Sequence, residues 1–277
     1  MSFERPPVVE VVLSAQFAPE TVDMEAYGQF AGEVRRELPV RQRQQVVPSM
    51  EEAFDTVPPQ RSMEITLEGP TSLPRITFES KDGVQLVQIQ HDRLTLNWRR
   101  RQHDLSYPRY STLRKRFNVL LKRLTDALDE VGQAHDVNLC EVTYVNPIEV
   151  PGPRAKDRVG TTHPDAARII NRFRRRPRQA FLPEAEDAQL QARWRIPAEE
   201  VGGSGAPAGR LHLALVPALK PPEGTPIYLV NLSARVRPES GSVDKALRAL
   251  DIGHKWVVLG FKDLTTAQMH RHWGLEE

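Results

Sequence analysis

Val8-Val9-Glu10-Val11-Val12-Leu13-Ser14-Ala15-Gln16-Phe17 is the stretch on which the reading of the fold turns. β-Branched and polar residues alternate along it until Ala18-Pro19, the pattern of a half-buried strand. Placing Glu10 on Glu141, an offset of 131, lays residues 8–17 on 139–148, within the strand-like run 139–150. The same offset lays Tyr110-Ser111-Thr112-Leu113 on Gly241-Ser242-Val243-Asp244. Each half then reads strand, helix, three or four strands, long helix. A chain written twice in this way predicts two similar halves, 1–137 and 138–277, packed as one globular unit.

Working outward, Met24, Tyr27, Phe30, Ala31, Val34 and Leu38 recur at helical spacing, with Asp23 as cap and Pro39 as stop. Residues 40–60 are punctuated by proline and read as irregular, with a short strand at 44–47. Strands are expected at 62–67, 75–80, 84–90 and 93–99, with Lys81-Asp82-Gly83 as a hairpin turn. Leu113, Phe117, Leu120, Leu121, Leu124, Leu128 and Val131 make one wide apolar stripe on a helix over 110–131. Its charges run against the helix dipole: Arg114, Lys115 and Arg116 lie near the start, Asp126, Asp129 and Glu130 near the end. Something other than helix stability placed them.

The second half opens with a strand at 139–150 and a proline- and glycine-marked loop at 151–162. A helix over 163–173 follows, with Ala166, Ile169, Ile170 and Phe173 facing inward. Strands at 189–196, 210–216 and 227–237 precede a helix capped by Ser242, and a last short helix starts from a capping box, Thr265 with Gln268. The expected fold is α+β: one antiparallel sheet built from both halves, with the helices on one face.

With 39% hydrophobic residues in a chain of 277, there is enough apolar surface for a real core. No apolar run is long enough to span a bilayer, so the expectation is a cytoplasmic protein without membrane partners. One cysteine, Cys140, excludes an internal disulfide and any multi-cysteine metal site. The net charge is only +2, yet 30 arginines stand against 8 lysines. Arginine favours planar recognition of carboxylate and phosphate. Arg99, Arg100, Arg101, Arg109, Arg114 and Arg116 are candidate anion-binding residues, with a second cluster at Arg172, Arg174, Arg175, Arg176 and Arg178. Ordinary solvated arginine faces are the competing explanation, since the overall charge falls short of a strongly basic nucleic-acid footprint.

Pro6-Pro7-Val8-Val9-Glu10-Val11-Val12-Leu13-Ser14, Leu96-Asn97-Trp98-Arg99, Tyr107-Pro108-Arg109-Tyr110, Val142-Thr143-Tyr144-Val145-Asn146 and His272-Trp273-Gly274 together resemble a sporadically distributed family of uncharacterised bacterial proteins of similar length. The resemblance runs end to end and transfers no catalytic residue. It implies a gene of the kind carried in mobile cassettes, such as phage-defence, toxin-antitoxin or accessory regulatory genes. The element order is also similar to the saddle of the TATA-binding protein fold and to helix-grip-like tandem sensor domains that bind small effectors. That likeness is one of topology, which does not fix function.

Motifs for chemistry are sparse. His91-Asp92, His103-Asp104 and His135-Asp136 fall at turns and loop ends and read as turn residues rather than metal ligands. His270 and His272 are two apart, where a helical zinc pair needs four. Cys140 has neither a base nor a depressing charge beside it in sequence and reads as a small buried hydrophobe. Gly202-Gly203-Ser204-Gly205 lacks the lysine and following helix of a phosphate-binding loop. No metal, cofactor or catalytic residue is assigned. Glu10 and Glu141, at matching positions, would form an acid–base pair if they met, or salt bridges with Arg99 or Arg109 if they did not.

The remaining polar set is Gln88, Gln90, Thr95 and Asn97 on the first-half hairpin, with Asn146 and Asn231 on second-half strands. Uncharged hydrogen-bonding groups on a sheet suit a ligand-recognising face, and equally an ordinary wet one. These residues point to a binding or regulatory protein that takes a protein partner or a small anionic ligand on an open sheet face. The alternatives are a nucleic-acid-binding protein and an enzyme with its site in the cleft between halves.

Overall fold

A computed structural model of the chain describes residues 2–52, 54, 73–101, 107–149, 166–171 and 185–276. The first half contains β1 (Ser2–Phe3), β2 (Glu10–Gln16), α1 (Met24–Glu37), β3 (Val40–Gln44), β4 (Arg75–Glu79), β5 (Gln85–Gln90), β6 (Arg93–Arg99) and α2 (Arg109–Glu130). The second contains β7 (Leu139–Ile148), α3 (Ala166–Ile169), β8 (Leu190–Ile196), β9 (Gly209–Lys220), β10 (Thr225–Val236), α4 (Val243–Leu264), α5 (Ala267–Trp273) and β11 (Leu275–Glu276). The fold is α+β. Among the described residues nine strands form one antiparallel sheet in the order β3-β4-β5-β6-β2-β7-β10-β9-β8, and β1 pairs with β11 in a separate ribbon.

The alternation in the opening stretch decides the middle of that sheet. Val11, Leu13 and Ala15 are fully buried on one face of β2, and Leu13 lies opposite both Leu96 of β6 and Val142 of β7. The apolar face continues through Val87, Leu94, Leu96 and Trp98 on one side and Val142, Val230, Leu232, Leu213 and Leu215 on the other. Onto it pack α2, through Leu113, Phe117, Leu120, Leu121, Leu124 and Leu128, and α4, through Ala246, Leu250, Gly253, Val257 and Phe261. Gly253 allows a close approach: a Cβ there would meet Val142 Cγ2 at 3.1 Å and the Ala234 Cβ at 3.5 Å. β2 and β7 pair at the junction of the halves, with strands β6-β5-β4 outward on one side and β10-β9-β8 on the other.

The reversed charges of α2 have a tertiary cause. Arg114 donates two hydrogen bonds to the Asp251 carboxylate of α4, at 2.6 and 2.9 Å, and Arg116 and Arg123 reach Glu37 of α1. The arginines join helices at some cost to the dipole.

Several local expectations shift. The irregular region contains β3 at Val40–Gln44 rather than a strand at 44–47, and Thr266, not Thr265, caps α5 by accepting from the Met269 N–H. Thr265 instead bonds back to the Phe261 carbonyl at 2.6 Å. Asp23 and Ser242 cap α1 and α4 as expected. The strand at 62–67 lies outside the described residues, as does part of the helix over 163–173.

The polar face of the sheet is partly covered. Residues 45–52 cross it as an extended strap: Gln90 exchanges two hydrogen bonds with the Val47 backbone, Gln16 two with the Met50 backbone, and Arg93 donates to the Pro48 carbonyl at 2.9 Å. The strap ends with Glu52, its side chain only 3% exposed, against Arg210 and His212 of β9 in the other half. Glutamines on a sheet face can satisfy a passing backbone that has no strand partner of its own, which sequence periodicity does not register.

Candidate functional site

On the helix side, where the halves meet, lies a cavity of about 460 Å³. Phe3, Pro6, Pro7 and Val8 form one wall. This segment is held by the β1–β11 ribbon and by Glu4 and Arg5 N–H groups donating to the Gly274 and Trp273 carbonyls. The start of α2 supplies Tyr107, Arg109, Tyr110 and Ser111; β7 supplies Tyr144 and Asn146; α4 supplies His254, Val257, Val258 and Phe261. The lining is mostly apolar with a few convergent polar groups, the usual character of a small-molecule site.

The polar end of the cavity is a connected cluster. The Tyr107 and Tyr144 hydroxyls are 2.6 Å apart, and the Tyr144 hydroxyl lies 3.1 Å from His254 Nδ1. Tyr110 stacks on the imidazole with centroids 3.8 Å apart and donates to Asp251 at 2.9 Å. Burial drives His254 down to about 4 against a partial counter-effect of Asp251, so the ring is neutral at neutral pH. Burial pushes the Tyr107 phenol up to about 12 and raises Tyr144 and Tyr110 as well. The cluster therefore offers uncharged donors and acceptors. His254 Nε2 has no hydrogen-bond partner among the described residues. Asn146, 3% exposed, donates to the Tyr144 and Val230 carbonyls, an orientation that leaves its side-chain oxygen as an acceptor.

Arg109 stands at the mouth with φ +64, a left-handed conformation uncommon outside glycine, as the first residue of a helix whose start has no side-chain cap. It has no ion pair among the described residues. The other five arginines of its group are committed. Arg99 pairs with Glu10 at 3.1 Å, Arg101 with Glu79 at 2.8 Å, Arg114 with Asp251 and Arg116 with Glu37, while Arg100 donates to the Pro6 carbonyl. Arg172, Arg174, Arg175, Arg176 and Arg178 lie outside the described residues.

The structure divides the polar set. Gln88, Gln90 and Thr95 line a smaller pocket of about 150 Å³ on the opposite, strap-bearing face, with Ser14, Arg75, Arg93, Glu141 and Val47. Asn97 sits beside it, bonded to Glu10 at 2.6 Å and Gln88 at 2.7 Å. Asn231 is on that face farther along, its buried side-chain oxygen without a partner among the described residues. Asn146 is on the helix side, in the larger cavity. Alternation alone puts it there, since Tyr144 and Asn146 share a face of β7 while Val145 takes the other.

Glu10 and Glu141 do not meet: Glu10 lies opposite Val145 and Glu141 opposite Ser14. Each has a cross-strand arginine instead, Arg99 at 3.1 Å and Arg235 at 2.7 Å. Cys140 is buried, and burial raises its thiol. His91 faces Glu20 and His135 faces Asp129, while His103-Asp104 falls outside the described residues. Among the described residues no group of three or more His, Cys, Asp or Glu could hold a metal, and no helix is long and apolar enough to cross a membrane. Trp273 is 5% exposed and packs against Phe3 and Phe261. Trp256 is partly exposed beside Leu259 and Trp194, in a second, apolar groove.

Sequence reasoning missed His254, Asp251 and the pairing of Tyr107 with Tyr144. The signal was a histidine and an aspartate three apart on the helix predicted after Ser242. Nothing in one helix says that its neighbour presents tyrosines. Comparison with protein-family models and with curated proteins gives no match.

Proposed function

We propose that this is a small-molecule-binding, regulatory protein whose ligand occupies the cleft between α2 and α4. The observation that carries the reading is the 460 Å³ cavity itself, lined from both halves by an apolar wall and a compact polar end. Phe3, Pro7, Val257 and Phe261 suit the apolar body of a ligand. The His254–Tyr144–Asn146 cluster suits a polar end, and Arg109 with the uncapped start of α2 suits an acidic group. Four of the five stretches that carry the bacterial family resemblance bear on this cleft: Pro6, Pro7 and Val8, Tyr107, Arg109 and Tyr110, and Tyr144 with Asn146 line it, and Trp273-Gly274 anchors its wall. A copied ancestral unit, with the cleft at the seam, belongs to the same proposal.

The arginine pairing weighs against a nucleic-acid reading, because charges already neutralised by carboxylates release few counterions. The experiment is native mass spectrometry of the purified protein, alongside Val258→Trp, which fills the cavity from its partly exposed wall. A co-purifying small molecule lost in the variant is expected. A wild-type protein that carries nothing, and whose stability no amphipathic acid raises, overturns the proposal.

A further inference from the structure

The smaller pocket has a character opposite to that of the cleft. Its floor is the polar face of β4, β5, β6, β2 and β7, presenting Arg75, Gln88, Gln90, Arg93, Thr95, Ser14 and Glu141, and Val47 of the strap closes it above. Two guanidinium groups converge there. Arg75 spends its Nη1 on Gln88 at 2.9 Å and its Nε on the Gln45 carbonyl at 3.1 Å. Arg93 spends its Nη2 on Gln16 at 3.0 Å and the Pro48 carbonyl at 2.9 Å, and its side chain is 11% exposed. Its Nε is buried with no hydrogen-bond partner among the described residues. A buried N–H of a charged group left unmade costs more than a neutral one, so the donor calls for an acceptor.

The charges nearby point the same way. Asp92 and Glu141 favour the charge on Arg93 while Arg75 and Arg235 oppose it, which sets three arginines against two carboxylates. Glu141 is engaged with Arg235 at 2.7 Å, and Asp92 accepts from Ser49 at 2.6 Å and Gln90 at 2.7 Å. Arg93 Nη2 itself stands 3.7 Å from Asp92, so the positive charge without a carboxylate partner among the described residues is that of Arg75, beside the buried Arg93 Nε–H and the Ser14 and Thr95 hydroxyls, which bond each other at 2.8 Å. The volume, about 150 Å³, is that of about five water molecules and holds a tetrahedral oxyanion or a short carboxylate but no extended ligand.

We infer that the pocket beneath residues 45–52 is a second binding site, for a small oxyanion held between Arg75 and Arg93. The same two side chains hold the strap through the Gln45 and Pro48 carbonyls, so an anion that fixes the guanidinium groups also fixes the strap over them. The site is independent of the cleft and stands whether or not a ligand binds there.

Isothermal titration with inorganic phosphate, and with malonate as the carboxylate probe, tests it at constant ionic strength against chloride. Saturable one-to-one binding is expected, with slower amide exchange in residues 45–52. Arg75→Gln removes one charge-assisted contact and weakens binding about tenfold or more. Thr95→Phe fills the pocket while leaving both arginines in the sequence and abolishes binding, with thermal unfolding and circular dichroism checking that each variant folds. Binding of phosphate alone or malonate alone identifies the geometry of the preferred anion. Absence of saturable binding by both probes, or equal binding by wild type and both variants, overturns the inference.

Discussion

The Tyr110 ring lies flat on the His254 imidazole, centroids 3.8 Å apart and planes within 6°, and so ties the first turn of α2 to the middle of α4. The stack shields one face of the imidazole while the Tyr144 hydroxyl meets its Nδ1 at 3.1 Å. The result is a histidine that folding holds neutral.

A pH dependence follows from that neutrality. The His254 value falls from 6.5 to about 4 on folding, so between those values the unfolded chain takes up a proton that the folded chain refuses. Stability is present above pH 6.5 and is lost as the pH falls towards 4. Between pH 7 and 5, roughly, the loss is about 1–2 kcal/mol, at about 1.4 kcal/mol per pKa unit less solvent screening. Urea unfolding at both pH values measures it. In His254→Phe this part of the acid sensitivity disappears, and an undiminished slope in the variant would place its origin elsewhere.

Glu52 anchors the far end of the strap. Burial alone would raise its carboxyl, but the hydrogen bonds from His212 and Arg210 outweigh that and hold it below the usual 4.5. A depressed carboxyl contributes stability above its unfolded value and loses it as the pH falls through the folded one. Glu52→Gln should therefore flatten the stability curve below pH 4.5 and cost as much as about 3 kcal/mol at neutral pH, the scale of a broken buried pair. Hydrogen exchange should speed up in residues 45–52 and leave α2 and α4 unchanged. Unchanged exchange in the strap would show that Glu52 does not hold it.

Arg109 sets stability against binding. At φ +64 its backbone is strained by about 1 kcal/mol relative to glycine, and among the described residues no ion pair compensates. Arg109→Gly should raise the melting temperature by a few degrees while weakening any acidic ligand of the cleft about tenfold. Differential scanning fluorimetry with and without the ligand recovered from the native protein reads both effects. A variant that is less stable and binds equally well would remove Arg109 from the site.

Gly253 marks the closest approach of α4 to the sheet, with Val142 Cγ2 3.1 Å from where a Cβ would stand. Gly253→Val should overpack this contact and cost about 2–3 kcal/mol, moving α4 and with it His254. Denaturant midpoints measure the cost. Gly28, on the outer part of α1 with nothing near its would-be Cβ, is the control. Gly28→Ala should stabilise by about 0.5–1 kcal/mol.

How much was legible in the chain follows from which interactions are local. Alternation in β2 and β7, the stripe of α2, and the Asp23 and Ser242 caps depend on neighbours within a few residues, and they stand where the pattern puts them. Of the two matched glutamates, Glu10 meets Arg99, one of the expected partners, directly across the ladder though 89 residues away, whereas Glu141 meets Arg235, which the sequence did not point to. The strap was not readable. Its partners, Gln16, Gln90, Arg93 and Arg210, lie up to 158 residues away, and its backbone repeats no period.

The candidate site divides along the same line. Gln88, Gln90 and Thr95 were placed on one face by a period of two, and they share a pocket. Asn146 carries the same chemistry but lies on the other face of its strand, where the helices make a different cavity.

By itself the sequence determined an α+β protein with one antiparallel sheet, apolar on the face that takes the long helices, because strand and helix periods are properties of consecutive residues. Only the tertiary structure decided which polar groups meet. Tyr107, Tyr144 and His254 are brought together by the antiparallel pairing of β2 with β7 and the packing of α2 beside α4. Residues 45–52 are laid across the other face by hydrogen bonds to side chains from strands on both sides of the seam. Contacts between residues from 34 to 160 positions apart are set by the path of the whole backbone, and no local window of the chain contains them.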